Sequence, residues 1–233
     1  MRYHEIYCIS SYDAVLNYIL ILIICISIFI IIGILVSPKL GYQDSSLVMQ
    51  DVTISSIINN SHSSQIEDFM IFMSMYGREI VWVAVIVFLS IFAGWKGRKI
   101  ALILIISFLI IMPLNTFFKN FFERLRPTPV SQEIHVSQET DFAYPSGHAS
   151  IVIAGAITML ILFRNEKELL LSIVLAFEAA LVCVSRIYVG DHYLLDVIGG
   201  GLLGSGISLL SISFSRYLDP IMTKMRNHLQ KKQ

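Results

Sequence analysis

Charged residues are scarce in this chain. Only 15% of its 233 residues are Asp, Glu, Lys or Arg, whereas about 25% is usual for a soluble domain. Hydrophobic residues make up 55% of the sequence, and the mean hydropathy is +0.72. The formal net charge is zero, so the global charge offers no attraction for a nucleic acid, and none is expected as a partner. The composition therefore argues against a soluble domain and favours a protein embedded in a lipid bilayer.

Cysteine is also rare, and its placement excludes two common uses. The chain has three cysteines and no C-x-x-C pair, so the sequence predicts neither a disulfide framework nor a zinc site. Cys25 and Cys183 lie inside apolar runs, where cysteine behaves as a small buried hydrophobic residue. We therefore interpret them as packing residues.

Long apolar runs, by contrast, are abundant. A helix needs about 20 apolar residues to cross a bilayer, and the first run, residues 14–36, is free of charge throughout. Because a secretory signal has an apolar core of only about 7–15 residues, this run is interpreted as a retained span. The second run is short and is expected to extend back beyond Arg78. The sequence predicts an all-α polytopic membrane protein, a single domain over residues 1–233 with its core at 14–215 and six transmembrane helices near residues 14–36, 80–93, 100–118, 147–163, 169–184 and 194–214.

The segment at residues 37–77 is mixed in composition. Leu47, Val52, Ile54 and Ile58 form an imperfect helical stripe among polar residues. Such a stripe is typical of a helix lying at the membrane surface. An ordinary loop helix would show it too, and the pattern leaves both interpretations open.

The distribution of lysine and arginine predicts the orientation in the membrane. With the N-terminus inside, the inner segments hold eleven of these residues and the outer segments hold six. Because inner segments are enriched in Lys and Arg, both termini are predicted to be cytoplasmic, with residues 216–233 as a basic inner tail. The outer cations are then unusual, which indicates a need for positive charge on the extracytoplasmic side.

Three segments predicted to lie at the outer ends of spans carry residues suited to a phosphate. Arg126 and Arg186 present a planar fork that matches phosphate oxygens, and Lys119 adds a point charge. Ser146 and Gly147 open a helix whose unpaired backbone N–H groups can bind an anion. The three segments, which are expected to meet in one layer at the membrane boundary, are residues 119–127, 144–148 and 185–196.

Two histidines and a carboxylate in these segments are candidates for the chemistry. His192 and Asp196 are four positions apart and would share a face on one helix. The carboxylate could then hold the imidazole in one tautomer while the ring attacks phosphorus, and His148 could protonate the leaving oxygen. Taken singly, each residue could be a polar surface group or part of a local ion pair. A metal site is another possibility, disfavoured because three neighbouring cations would repel a divalent ion.

Together the three segments resemble the signature of the type 2 phosphatidic acid phosphatase superfamily, which reads K-x6-R-P, P-S-G-H and S-R-x5-H-x3-D. All three match in order and spacing. The resemblance implies a metal-independent membrane phosphatase without a cofactor, whose partners are the bilayer and a phospholipid or polyprenyl phosphate substrate. It also implies a nucleophile at His192, an orienting carboxylate at Asp196, a general acid at His148, and phosphate ligands at Lys119, Arg126, Ser146, Gly147 and Arg186.

A non-catalytic transporter or scaffold of the same fold is the alternative. Members of the family that lost catalysis usually lose a motif histidine or arginine, and here every motif residue is present. Glu123, Arg124 and Asp191 lie beside motif positions and receive no role from the resemblance. The lipid that is dephosphorylated is not indicated by any of these patterns.

Overall fold

The computed structural model of the chain describes residues 12–40, 45–61, 64–127 and 140–230. Within these ranges every regular element is a helix, and no β-strand occurs in them. The predicted all-α class is therefore confirmed. The helices are α1 (Tyr12–Val36), α2 (Ser46–Asn60), α3 (Ser64–Phe72), α4 (Trp82–Phe92), α5 (Gly94–Phe122), α6 (Gly147–Leu162), α7 (Glu166–Tyr188), α8 (Leu194–Phe214) and α9 (Asp219–Gln230).

Several stretches of helix are long and apolar enough to cross a membrane. In the second of them, α3 and α4 are joined through wider, π-helical turns at Met73–Val81, so the helix extends back past Arg78 as predicted. The remaining predicted span, residues 147–163, is α6, whose 16 residues measure about 24 Å, short of a roughly 30 Å hydrocarbon core. The count of six spans therefore stays a prediction. Among the described residues the five long stretches are Val15–Val36, Ile66–Phe92, Gly94–Phe122, Glu166–Tyr188 and Leu194–His228.

Helix α6 packs against α5, α7 and α8, and its contact with α8 is very close. A Cβ added at Gly204 would lie 2.1 Å from the carbonyl oxygen of Ser150, and one at Gly200 would lie 2.4 Å from that of Ser146. Only glycine leaves room for two backbones at this distance. The contact brings the first turns of α6 and α8 together, where the N–H of Ser146 donates to the carbonyl of Asp196 at 3.0 Å.

Helix α2 presents its polar side to the protein and its apolar side outward. Asp51 and Ser55 are buried against the bundle, whereas Met49 and Ile57 are 62% and 64% exposed. The helix packs on α7 and α8. Apolar side chains on an outward face are expected at a lipid boundary, and the interpretation of α2 as a membrane-surface helix stays a prediction. The end of the 37–77 segment belongs instead to the second long apolar stretch, Ile66–Phe92.

Candidate active site

The polar motif residues gather at one end of the helical bundle. Lys119 lies in the last turn of α5, Ser146 caps the start of α6, Arg186 lies in the last turn of α7, and Asp196 lies in the first turn of α8. Because consecutive helices run in opposite directions, these ends form one layer. All four residues are buried, so the layer is largely shielded from bulk solvent.

His192 lies in the short turn between α7 and α8, and its side chain is fully buried. The carbonyl oxygen of Arg186 fixes this turn by accepting the backbone N–H groups of Asp191 at 3.1 Å and His192 at 3.2 Å. Nε2 of the imidazole lies 3.3 Å from Nη1 of Arg126, and Nδ1 lies 3.7 Å from Oδ2 of Asp196. One ring nitrogen therefore faces a cation, and the other faces a carboxylate.

The prediction that His192 and Asp196 share a helix face is wrong. Helix α8 begins at Leu194, so His192 precedes the helix and only Asp196 belongs to it. The two side chains approach each other because Asp196 turns back to cap the helix, with Oδ2 accepting the N–H of Tyr193 at 2.8 Å. The unpaired N–H groups at the helix start, rather than helical periodicity, place the carboxylate beside the imidazole.

Lys119 and Arg126 converge on one carboxylate, that of Asp141. Nζ of Lys119 donates to Oδ2 at 2.6 Å, Nη2 of Arg126 donates to Oδ1, and Nε of Arg126 donates to the Asp141 carbonyl at 2.8 Å. A phosphate offers the same kind of paired anionic acceptors as this carboxylate. Burial raises the pKa of Asp141, but the hydrogen bonds and charges of Lys119 and Arg126 outweigh it and hold the pKa below its usual value. A charged side chain thus occupies the anion site.

Arg186 is held by a second set of partners. Its Nη1 donates to Oγ of Ser74 at 2.7 Å and to the Ser74 carbonyl at 3.3 Å. Its Nη2 lies 3.0 Å from Oδ2 of Asp191. Asp191, which the sequence patterns left without a role, therefore anchors this arginine, and a cation held in advance needs little reorganisation to meet an anion.

His148 and Gly147 line a cavity of about 460 Å³ that opens between α4, α5 and α6, with Lys119 and Asp141 beside them. One end of the cavity is therefore polar and lies in the layer of helix ends that carries the candidate catalytic residues, which we call the catalytic layer. The rest follows the helices towards the bilayer. A cavity with a polar head and an apolar body has the form required by a lipid phosphate. The apolar wall consists of Trp82, Val83, Ile86, Phe108, Met112 and Ile151.

Behind the imidazole lies a buried ion cluster that the sequence patterns did not indicate. Arg124 donates from Nη1 to Oδ1 of Asp196 at 2.6 Å and from Nη2 to Oδ2 of Asp51 at 2.5 Å. None of the three side chains is more than 5% exposed. Burial lowers the pKa of Arg124, but Asp196 and Asp51 more than offset it, so the pKa lies above its usual value and the guanidinium stays charged. Asp196 is thus shared between Arg124 and His192.

Hydrogen bonds from helix α2 hold the turn that carries His192 in place. Oδ1 of Asp51 and Oγ of Ser55 each accept, at 2.9 Å, a backbone N–H from the first turn of α8. Nδ2 of Asn59 donates to the carbonyl of Tyr188 at 2.8 Å. The three polar residues recur every four positions and so lie on one helix face. This spacing is the sequence signal from which the contact could have been found.

Comparisons with known proteins give this arrangement a family context. Residues 98–219 match the model of the PAP2 superfamily. The chain is 39% identical over 191 residues to the undecaprenyl-diphosphatase of Sulfolobus acidocaldarius, covering 81% of this chain and 88% of the relative. It is 28% identical over 163 residues to the undecaprenyl-diphosphatase BcrC of Bacillus subtilis, covering 69% and 81%. A solved structure of a transmembrane PAP2 type phosphatidylglycerolphosphate phosphatase from Bacillus subtilis shares the fold, with a TM-score of 0.66 and 24% identity over 84% of this chain and 96% of that chain.

Proposed function

Because this chain belongs to the PAP2 superfamily and is a membrane-embedded lipid phosphatase, we propose that it removes the terminal phosphate of a polyprenyl diphosphate through a phosphohistidine on His192. Two relatives that align over more than two thirds of the chain are named undecaprenyl-diphosphatases. The phosphate binds where the Asp141 carboxylate now lies. The polyprenyl tail follows the apolar wall of the cavity into the bilayer.

The orientation of the His192 ring carries the proposal. Nε2 faces Arg126 at 3.3 Å, next to the place where a phosphate would replace Asp141. Nδ1 faces Asp196 at 3.7 Å. A nucleophilic histidine needs one nitrogen directed at phosphorus and the other directed at an acceptor that stabilises the charged ring. The buried turn before α8 meets both needs.

The first chemical step transfers the terminal phosphoryl group to the enzyme. Nε2 of His192 attacks the terminal phosphorus, and the bond from phosphorus to the bridging oxygen breaks. The departing polyprenyl monophosphate takes a proton from His148. Lys119, Arg126 and Arg186 balance the charge on the equatorial oxygens of the transition state.

The second step releases inorganic phosphate. Water attacks the phosphohistidine, and His148, which lost its proton in the first step, now accepts one from the water. The nitrogen–phosphorus bond breaks, and its electron pair returns to Nε2 of His192. Each turnover consumes one water molecule and restores both histidines to their starting state.

Arg78 suits the second phosphate of a diphosphate. It lines the same cavity as Lys119 and His148, and its Nη1 would lie 3.9 Å from a Cβ placed on Gly147. A diphosphate carries more negative charge than a monophosphate, and a further cation beside Gly147 can help to balance it. The position of Arg78 therefore supports a diphosphate substrate.

The active site faces the extracytoplasmic side in this proposal, with six spans and both termini in the cytoplasm. The loop charges support the orientation. At the end of the bundle opposite the catalytic layer, Lys96 near the start of α5 pairs with Glu168 near the start of α7 at 2.5 Å. Helix α6 connects the two ends and therefore crosses from one boundary to the other despite its length.

Turnover by purified enzyme on polyprenyl diphosphate, phosphatidic acid and phosphatidylglycerol phosphate tests the proposal. We expect the diphosphate to be preferred, activity to survive EDTA, and vanadate to inhibit by mimicking five-coordinate phosphorus. An acid-labile phosphoenzyme should form and should be absent in His192→Ala. The matched control is His228→Ala, an exposed histidine on α9, which should behave as the native enzyme does.

Each part of the proposal can fail separately. A preference for phosphatidic acid would refute the substrate. A strict requirement for added magnesium would refute charge balance by Lys119, Arg126 and Arg186. Substantial phosphoenzyme in His192→Ala would refute the nucleophile.

A further inference from the structure

A second cavity, of about 530 Å³, lies between α1, α5 and the ends of α6 and α8. Four basic residues line it: Lys96, Lys99, Arg164 and Arg216. They come from different parts of the chain and surround one space.

This cavity lies at the opposite end of the bundle from the catalytic layer. Lys99 and Lys119 are both on α5, twenty positions apart, which corresponds to about 30 Å along a helix. Asp196, in the first turn of α8, and Arg216, just after the end of that helix, are likewise twenty positions apart. That separation equals the thickness of a hydrocarbon core, roughly 30 Å. The second cavity therefore cannot share a ligand with the catalytic site.

The cavity keeps an excess of positive charge after its internal ion pairs are counted. Lys96 pairs with Glu168 at 2.5 Å, and Lys99 pairs with Asp219 at 2.6 Å. The Lys99 side chain is only 14% exposed, so its charge is directed into the protein. Among the residues that the structure describes, four cations face two carboxylates here, so the space attracts an anion, and Arg164 and Arg216 offer forked donors for phosphate oxygens.

Part of the remaining wall is apolar. Val15, Ile100, Ile103 and Ile161 line the cavity. Next to Val15 on α1, Leu16 is 58% exposed. An anion that binds here therefore finds cations at its head and hydrocarbon along its length, which is the arrangement of basic pockets between helices that hold lipid headgroups.

We propose that this cavity binds the phosphate of an anionic phospholipid from the leaflet opposite the active site, with the acyl chains lying along α1. The lipid is a bound partner of the fold and not a substrate, since the catalytic histidines are a membrane thickness away. Inorganic phosphate shares the headgroup chemistry but cannot use the apolar walls. The proposal does not depend on which lipid phosphate the enzyme hydrolyses.

Binding of phosphatidylglycerol to the detergent-purified protein, followed by native mass spectrometry, tests the proposal. The double variant Arg164→Gln/Arg216→Gln should bind about 30-fold more weakly, because each basic residue near an anionic lipid is worth roughly fivefold. The matched control Arg98→Gln/Arg226→Gln removes the same charge from the same end of the protein without touching the cavity lining. It should bind as the native protein does.

The remaining binding measurements distinguish a lipid headgroup from free inorganic phosphate. Phosphatidylcholine, which has the same phosphate but no net charge, should bind weakly to all three proteins. Inorganic phosphate should not displace phosphatidylglycerol at comparable concentration, and if it does the cavity is a free-phosphate site. Equal weakening in both double variants would reduce the effect to general charge attraction and overturn the proposal. Hydrolysis of p-nitrophenyl phosphate should be unchanged in both, which verifies that they fold.

Discussion

Nη1 of Arg124 donates a 2.6 Å hydrogen bond to Oδ1 of Asp196, and this bond divides the carboxylate between Arg124 and His192. The other oxygen of Asp196 lies 3.7 Å from Nδ1 of His192. Because Asp51 holds the far side of the guanidinium at 2.5 Å, the cluster of one arginine and two aspartates carries a net negative charge when both aspartates are ionised. That charge is available to stabilise a positive imidazole ring.

Asp51→Asn should therefore lower kcat about tenfold with little change in KM. The amide still accepts the N–H from α8, but the charge of Arg124 now falls on Asp196 alone, and a charge interaction with the imidazole at this depth is worth on the order of 1–2 kcal/mol. The acidic limb of the pH–rate profile should move to lower pH, since a protonated ring loses negative charge nearby. Steady-state kinetics across pH measure both effects.

Two further variants distinguish this electrostatic effect from misfolding. Arg124→Gln leaves two buried carboxylates without a counter-charge and should destabilise the protein by about 3–5 kcal/mol. Ser55→Ala removes one hydrogen bond to α8 and no charge, so it should leave the pH profile in place. A profile that shifts equally in Ser55→Ala and Asp51→Asn would contradict an electrostatic role.

The two histidines should respond differently to the leaving group. His148→Ala removes acid–base help, which is typically worth about 10²–10⁴-fold on a lipid alcohol, but it leaves the nucleophile in place. An acidic leaving group such as p-nitrophenol needs little protonation, so this substrate should be partly spared. His192→Ala should be inactive on every substrate, and Asp196→Asn should fall between the two. Turnover of a lipid monophosphate and of p-nitrophenyl phosphate by each variant gives the comparison; equal losses for both histidines on both substrates would refute the division of roles.

Removing the carboxylate that occupies the anion site should improve binding of anions. Asp141→Asn keeps the size of the side chain but removes its negative charge from beside Lys119 and Arg126, so KM and the vanadate inhibition constant should fall about fivefold, as expected for partly exposed ion pairs. The matched control is Glu123→Gln, which removes a carboxylate paired with Lys39 at 2.7 Å, away from the site. Weaker vanadate inhibition in Asp141→Asn would show that Asp141 organises the cations rather than competes for them.

The ion pairs of Asp141 with Lys119 and Arg126 also predict a pH dependence of stability. Because the pKa of Asp141 is lowered in the folded protein, its ion pairs stabilise the fold above the ordinary Asp pKa of about 4 and lose this effect as the pH falls through the lowered value. The side chain is 53% exposed, so the contribution is under about 1 kcal/mol. Thermal melting of native protein and Asp141→Asn should differ near neutral pH and converge in acid. A difference in melting temperature that widened on acidification would contradict this prediction.

The orientation in the membrane can be measured with single cysteines in a chain whose native cysteines are replaced. An impermeant maleimide should label Gln132→Cys strongly in intact cells, because the loop charges predict an extracytoplasmic position for residue 132, which lies outside the described residues. Glu166→Cys, at the start of α7, should be labelled only after permeabilisation. The reverse pattern would place both termini outside and the active site in the cytoplasm.

Membrane embedding and the chemistry of the motif segments could be read from the sequence by itself. Transfer of an apolar side chain into hydrocarbon is a property of each residue, so a long apolar run predicts a span before any packing is known. The motif cations and the two histidines could be identified from the sequence for a related reason. Their types and spacings are contained within three short segments, and helix ends in a bundle of spans must lie at the membrane boundaries.

Which charges meet was decided only by the tertiary structure. Asp51 and Arg124 are 73 positions apart, and nothing in either neighbourhood specifies the pairing. The pairing depends on how α2 packs against the start of α8. That start in turn lies against α6, because Gly200 and Gly204 of α8 leave room for the α6 backbone. Ion pairs strengthen steeply with proximity and burial, so they follow from packing rather than from local sequence. Asp196 approached His192 through a helix cap for the same reason, since the N–H groups that open α8 required an acceptor.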